Sequence, residues 1–307
     1  MTETLACMSG GAVWAARNKQ EKQEDFKIMS ERECNNTECS RESCEGCPSK
    51  KPTNFQIEPG PYTEVKHVIG VVSGKGGVGK SMVTASLANQ MAARGCRVGI
   101  LDADITGPSI PKMYGLHGPA QAGDEGIYPM LTENDIKVMS INLLMPDEEA
   151  PVIWRGPVIS NMVKQFWTDV IWGELDYLFV DMPPGTGDVA LTVFQSIPVD
   201  GIVIVASPQE LVGMIVEKAV NMAKMMDVPV LALVENMSYI TCPDCGKEIH
   251  VFGESHIDEI AQKHGVETVA RMPIDPALAA ACDAGTIESF NGAWLDGVLE
   301  KLTTENK

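Results

Sequence analysis

From His67 to the end of the chain, short apolar runs alternate with stretches in which apolar residues recur every three or four positions. The runs "HVIGVVSG", "RVGILDAD", "KVMSINLL", "DYLFVDMP", "GIVIVASP", "LALVENM" and "ETVARMP" are rich in β-branched side chains and predict buried strands. Helical spacing is carried by Lys80 to Arg94, with Val83, Leu87 and Met91 on one face. It recurs in Pro157 to Ile171, Asp188 to Ser196 and Val212 to Met226. Strand–helix alternation of this kind predicts an α/β fold, a mostly parallel sheet with helices on both faces. Ligands in such folds sit at the carboxyl ends of the strands.

The first stretch breaks this pattern. Residues 1–62 are polar, without steady periodicity, and end in the breaker "EPGPY". They read as a flexible tail ahead of a globular domain over 63–307. Met29 is an alternative start to Met1. The 307 residues are 44% hydrophobic, enough for one large core, and carry a net charge of −18. Nearly all the acidic excess lies beyond the tail, so nucleic acid and anionic membrane are poor partners. No apolar run approaches a membrane span, and the N-terminus lacks the pattern of a signal peptide. A cytoplasmic protein is the expectation, and there clustered cysteines serve metals or redox chemistry more often than structural disulfides.

"SGKGGVGKS", Ser73 to Ser81, follows a predicted strand and opens a predicted helix. Gly74, Gly76 and Gly79 also spell the dinucleotide fingerprint, but that reading leaves Lys80 and Ser81 without a role. The phosphate-loop reading uses every residue. Backbone N–H groups of Gly76, Gly77, Val78, Gly79 and Lys80 face the phosphates, and the helix dipole adds to them. Lys80 supplies a charge to the β and γ phosphates of ATP, and Ser81 a hydroxyl to Mg²⁺. The extra lysine, Lys75, makes the loop similar to the deviant Walker A motif of MinD, ParA, ArsA and the nitrogenase iron protein. That resemblance implies a P-loop NTPase fold and a homodimer in which Lys75 reaches the partner's nucleotide.

Two further segments supply carboxylates at strand ends. "ILDADITGPSIPKMYG" carries Asp102 and Asp104, and by the same resemblance Asp104 lies in switch I. "YLFVDMPPGTGD" has the Walker B pattern, with Asp181 binding Mg²⁺ through water and Pro183 to Gly187 forming switch II. Asp188 reads as a helix N-cap. Asn236 ends the run "LALVEN"; similar proteins use an asparagine there to read adenine. "MPIDP", Met272 to Pro276, lies in a second base-side loop.

"ENMSYITCPDCGKEIHVFG" brings Cys242 and Cys245 to one centre by a C-x-x-C turn. Two thiolates complete neither a tetrahedral zinc site nor a [4Fe–4S] cluster. His250 and His256 can complete a zinc site, the pair can act as a redox disulfide, or a second subunit can supply its own pair across a two-fold axis.

Together "VSGKGGVGKS", "LDADITGPSIPKM", "VDMPPGTGD" and "ENMSYITCPDCG" resemble the Mrp/ApbC iron–sulfur cluster carriers and the related scaffolds of cytosolic cluster assembly. The resemblance spans about Tyr62 to Leu302. It implies an ATPase that holds a labile [4Fe–4S] cluster on Cys242 and Cys245 of each chain and hands it to apoproteins. In the tail, Cys34, Cys39, Cys44 and Cys47 resemble the N-terminal four-cysteine cluster of the eukaryotic scaffolds, with shorter outer spacings.

Other classes fit less well. A MinD-like positioning ATPase wants a basic amphipathic helix or DNA face, whereas "ESFNGAWLDGVLEKLTTENK" is mildly acidic. A nitrogenase-like reductase holds its cluster on single, separated cysteines. Trp154, Trp167, Trp172 and Phe166 read as packing, as do Met222, Met225 and Met226. Cys7, Cys96 and Cys282 carry no expected role, and Arg155 none that chemistry suggests.

Overall fold

The structure, a computed structural model, describes residues 56–304 apart from 106, 146–155, 209–211 and 291. Cys7, the tail cysteines Cys34, Cys39, Cys44 and Cys47, and Trp154 and Arg155 lie outside the described residues.

β1 (Thr63–Ser73) leads through the glycine loop into α1 (Lys80–Ala93), and the chain returns as β2 (Val98–Asp102). A short edge strand β3 (Met130–Leu131) and β4 (Lys137–Met139) follow, then α2 (Gly156–Thr168), β5 (Gly173–Asp181), α3 (Asp188–Ser196), β6 (Gly201–Ala206), α4 (Val212–Met225) and β7 (Val230–Glu235). A two-stranded hairpin, β8 (Ile240–Thr241) and β9 (Glu248–Ile249), stands apart from the sheet. The domain closes with α5 (Ile257–His264), β10 (Val269–Arg271), α6 (Pro276–Ala284) and α7 (Asp296–Thr304).

The main sheet has eight strands in the order β10-β7-β6-β1-β5-β2-β4-β3. Every pairing is parallel except β3 with β4. After β2 and β4 the chain inserts β5 between β1 and β2, then crosses to the other side of β1 with β6. The strand order therefore reverses at β1, which places a ligand crevice at its carboxyl end.

The pleat divides the apolar runs between two cores. Val68 and Val72 of β1, Leu178 and Val180 of β5 and Ile202 and Ile204 of β6 face one layer with Phe166, Trp167, Val193 and Val220. Ile69, Val71, Phe179, Val203 and Val205 face the other with Val83, Leu87, Met91, Leu278, Leu299 and Leu302. Both faces are covered, which is why these runs are nearly unbroken by polar residues. The predicted stripe of Val83, Leu87 and Met91 is fully buried.

Several local expectations change. "KVMSINLL" is a strand only to Met139; Ile141–Leu143 is a 3₁₀ turn. Ser140 turns inward there and its hydroxyl donates to Asp102 Oδ2 at 3.1 Å. α3 begins at Asp188 with Gly187 at the cap, so Asp188 is the first helical residue and not the N-cap. Met225 is 71% exposed and fills no core of this chain, whereas Met222 is buried.

Candidate functional site

The glycine loop starts where β1 ends, at the reversal point of the sheet. Gly77 and Gly79 both adopt φ of +79°, a left-handed conformation that costs any other residue. Space is equally restrictive. A Cβ on Gly74 would lie 1.6 Å from Ile215 Cγ2 of α4, and one on Gly79 would lie 2.2 Å from Asn236 Nδ2. Gly79 caps α1, and its carbonyl accepts the Val83 N–H at 3.0 Å. The loop thus delivers the amino end of a 14-residue helix, with its partial positive charge, to the carboxyl edge of the sheet.

The strand-end carboxylates converge there. Asp102 and Asp181 are register partners on β2 and β5, and both have no exposed surface. Lys80 Nζ lies 2.7 Å from Asp181 Oδ1 and 3.7 Å from Asp104 Oδ2. Ser81 Oγ donates to Asp181 Oδ2 at 2.5 Å. Thr84, one helical turn after Lys80, donates to Asp181 Oδ1 at 2.9 Å. Asp102 accepts from Ser140 and from the Asp104 N–H at 3.2 Å. Its carboxyl is pushed up to about 8, chiefly by burial, then by the charge of Asp181; Lys80 pulls it down and Asp104 raises it further. One lysine therefore stands close to Asp181 and Asp104, beside an Asp102 whose charged form burial disfavours. Ser81 and Asp181 present hard oxygen donors side by side, a set that suits Mg²⁺.

The segment after β5, expected from the sequence to form switch II, is tied to the end of β1. The Met182 N–H donates to Val71 O, and the Gly185 N–H to Ser73 O at 2.8 Å. Pro184, Thr186 and Gly187 are exposed. Lys75 is half-buried, and its carbonyl accepts the Ser73 hydroxyl at 3.0 Å. Asn236 is fully buried behind the loop: Nδ2 donates to Val78 O at 2.9 Å, and Oδ1 accepts the Met237 N–H. In this arrangement it braces the phosphate loop and presents no surface to a base. The two expected base-side segments do meet, since Ser238 N–H donates to Met272 O and Ile274 N–H to Tyr239 O. Asp275 of that loop caps α6, accepting from Ala277 N and Leu278 N.

Cys242 and Cys245 sit at the tip of the β8–β9 hairpin. The Cys242 N–H donates to Lys247 O and the Gly246 N–H returns to Cys242 O, both at 2.9 Å. Gly246 takes φ of +70° to close the turn. Cys245 is exposed and Cys242 half-exposed. The backbone N–H groups of Cys245 and then Asp244 point at Cys242 Sγ and, with the Cys245 thiol, lower its pKa. Among the described residues no three His, Cys, Asp or Glu side chains form a set that could hold a metal ion. The Cys₂His₂ alternative is not assembled: His250 Nδ1 lies 3.3 Å from Ser238 O, and His256 Nδ1 lies 3.5 Å from Glu259 Oε2. Close to the cysteines in sequence, Ile249, Val251 and Phe252 are all at least 39% exposed.

Thr84 and Ser140 escaped the sequence reading. Thr84 is signalled by its i+4 spacing from Lys80. Ser140 has no local signal, because its partner lies 38 positions away on a neighbouring strand.

A glycine loop between the central parallel strand and its helix, with strand-end aspartates around the loop lysine, defines a P-loop NTPase. The chain belongs to the ParA family: residues 64–301 match the model of the NUBPL iron-transfer P-loop NTPases. It is 46% identical over 254 residues to an iron–sulfur cluster carrier protein of Methanocaldococcus jannaschii, covering 79% of this chain and 87% of the relative. It is also 46% identical over 265 residues to a protein of the same name from Clostridium perfringens, covering 83% and 92%. Among solved structures it resembles a nucleotide-binding protein of Archaeoglobus fulgidus in complex with ADP. That match has a TM-score of 0.69 at 46% identity and covers 76% of this chain and 91% of the other. The cell division ATPase MinD of Pyrococcus furiosus shares the fold, with a TM-score of 0.59 at 20% identity and coverage of 78% and 99%. Among the described residues no helix is long and apolar enough to cross a membrane.

Proposed function

We propose that this chain is an ATP-hydrolysing iron–sulfur cluster carrier that holds a [4Fe–4S] cluster between two subunits and passes it to apoproteins. The observation that carries the reading is the exposed Cys242–Cys245 turn on a P-loop NTPase. Each chain offers two thiolates at one point, and a two-fold axis supplies four without any new residue. The apolar residues Ile249, Val251 and Phe252 beside the turn suit burial against a second copy. Curated relatives named as iron–sulfur cluster carriers support the same reading.

At the nucleotide, the N–H groups from Gly76 to Lys80 cradle the phosphates, and Lys80 turns its charge from Asp181 towards the β and γ oxygens. Ser81 and Asp181 would hold Mg²⁺, which when bound would neutralise charge on the phosphates. Asp104 orients the attacking water, and Lys75 reaches the nucleotide of the facing subunit. Asn236 keeps the loop in shape from behind. Cys34, Cys39, Cys44 and Cys47 are the candidates for a further metal-binding set. Residues of the phosphate loop and the cysteine pair are separable by experiment. Lys80→Ala abolishes ATP hydrolysis while anaerobically reconstituted protein keeps its hairpin cluster. Cys242→Ala with Cys245→Ala keeps ATP binding and loses that cluster. A double-cysteine variant that still activates an apo-acceptor as well as the wild type would overturn the assignment.

A further inference from the structure

The two feet of the cysteine hairpin are tied to one buried carboxylate. Glu235, the last residue of β7, is 2% exposed. Its Oε2 accepts the Ser238 hydroxyl and its Oε1 accepts the Ser255 hydroxyl, both at 2.6 Å. Ser238 opens the excursion that contains Cys242 and Cys245, and Ser255 closes it. Ser255 Oγ also accepts the Ile257 N–H at 3.3 Å, so the return leg is tied to the start of α5. Arg271 of β10 stands 3.9 Å from Glu235 Oε2 and pairs with Asp258 of α5 at 2.5 Å. The buried charge therefore has two hydrogen bonds and a cation nearby, as such a charge requires.

The next residue faces the other way in function. Asn236 donates its amide to Val78 O of the phosphate loop. Between it and Ser238 lies Met237 with φ of +60°, a strained conformation for a side-chain-bearing residue. The Met237 N–H is held by Asn236 Oδ1 at 2.9 Å. Within four consecutive residues, Glu235 holds both feet of the cysteine hairpin, Ser238 and Ser255, and its neighbour Asn236 holds the nucleotide loop, while the strained Met237 joins Asn236 to Ser238. A segment so held has little freedom to absorb a displacement of Val78 locally.

We propose that Glu235–Ser238 transmits the nucleotide state of the phosphate loop to the cysteine pair, with Glu235 as its positioning residue. This deepens the proposed function, since it assigns the regulation of that same cysteine site. It does not require that a cluster be bound there.

The test uses the full chain, free of iron and without oxygen. Alkylation of Cys242 and Cys245 by iodoacetamide is followed by peptide mass spectrometry, with and without magnesium and a non-hydrolysable ATP analogue. In the wild type the nucleotide shifts the rate at these two cysteines by about fivefold or more, the scale of ordinary coupling between sites. In Glu235→Ala the analogue still binds, by fluorescence of a labelled nucleotide, but the shift disappears. Glu235→Gln keeps an acceptor for one serine and a donor to the other hydroxyl, and restores part of the response. Should Glu235→Ala fail to fold, Ser255→Ala removes one foot alone and is expected to lose at least half of the shift. A wild type with no nucleotide response, or a Glu235→Ala variant that keeps the full one, overturns the proposal. A merely structural role would alter basal reactivity and leave the nucleotide response in place. Whether a cluster binds the pair is read separately by reconstitution, so the two readings fail independently.

Discussion

Removing the loop lysine is expected to destabilise the protein even when no nucleotide is present. Lys80 Nζ is 2.7 Å from Asp181 Oδ1, with the two side chains 6% and 0% exposed, and Asp104 approaches the same ammonium at 3.7 Å. Two unit charges at about 4 Å attract by ~4 kcal/mol at an effective dielectric of ~20. Desolvation offsets much of that, but breaking such a pair strands a buried carboxylate, at a cost of about 3–5 kcal/mol. For a domain of this size each kcal/mol moves the midpoint by ~2–4 °C, so Lys80→Ala should melt about 10 °C below the wild type. The assay is urea and thermal unfolding at neutral pH in magnesium-free, nucleotide-free buffer. One internal check follows from the cause. Asp181→Asn added to Lys80→Ala should recover much of the loss. Lys80→Ala melting with the wild type, or a double variant no more stable than the single one, would refute the reasoning.

Three further outcomes follow from the geometry. Gly79→Ala places a Cβ against Asn236 at a φ of +79°; it should lose about 1–3 kcal/mol of stability and weaken nucleotide binding measured by calorimetry. The folded pKa of Asp102, about 8, lies above the ordinary 3.8, so the folded chain keeps a proton that the unfolded chain releases. Its contribution is complete below about pH 4 and lost as pH rises to about 8; Asp102→Asn should flatten that fall in magnesium-free unfolding measurements. Cys242 should alkylate with a pH midpoint below that of an ordinary thiol, because two N–H groups stabilise its thiolate, and a midpoint at or above the ordinary value would contradict that geometry.

The parallel sheet was legible because its strands are buried on both faces and contain few polar interruptions. The loop was legible for a different reason: Gly74, Gly79, Lys80 and Ser81 are each fixed by a separate local demand of space, φ or chemistry. What escaped was set by distant partners. Ser140 follows the last residue of its strand, and its hydroxyl reaches Asp102 on β2. Met130–Leu131 is an edge strand too short for any periodicity. Glu235 sits inside an apolar run, where its charge marks no pattern, and its two serine partners flank a hairpin that the C-x-x-C spacing alone outlines. Asn236 was placed correctly at a strand end, but burial turns its side chain onto Val78 and not outward.

On the proposed function, one chain's cysteine pair is half of a cluster site. Native mass spectrometry tests this on the anaerobically reconstituted chain with Cys34, Cys39, Cys44 and Cys47 replaced by serine. The expected species is a dimer carrying one [4Fe–4S] cluster, absent when Cys242 and Cys245 are also replaced. A cluster on the monomer, or one that survives the loss of both hairpin cysteines, would contradict it.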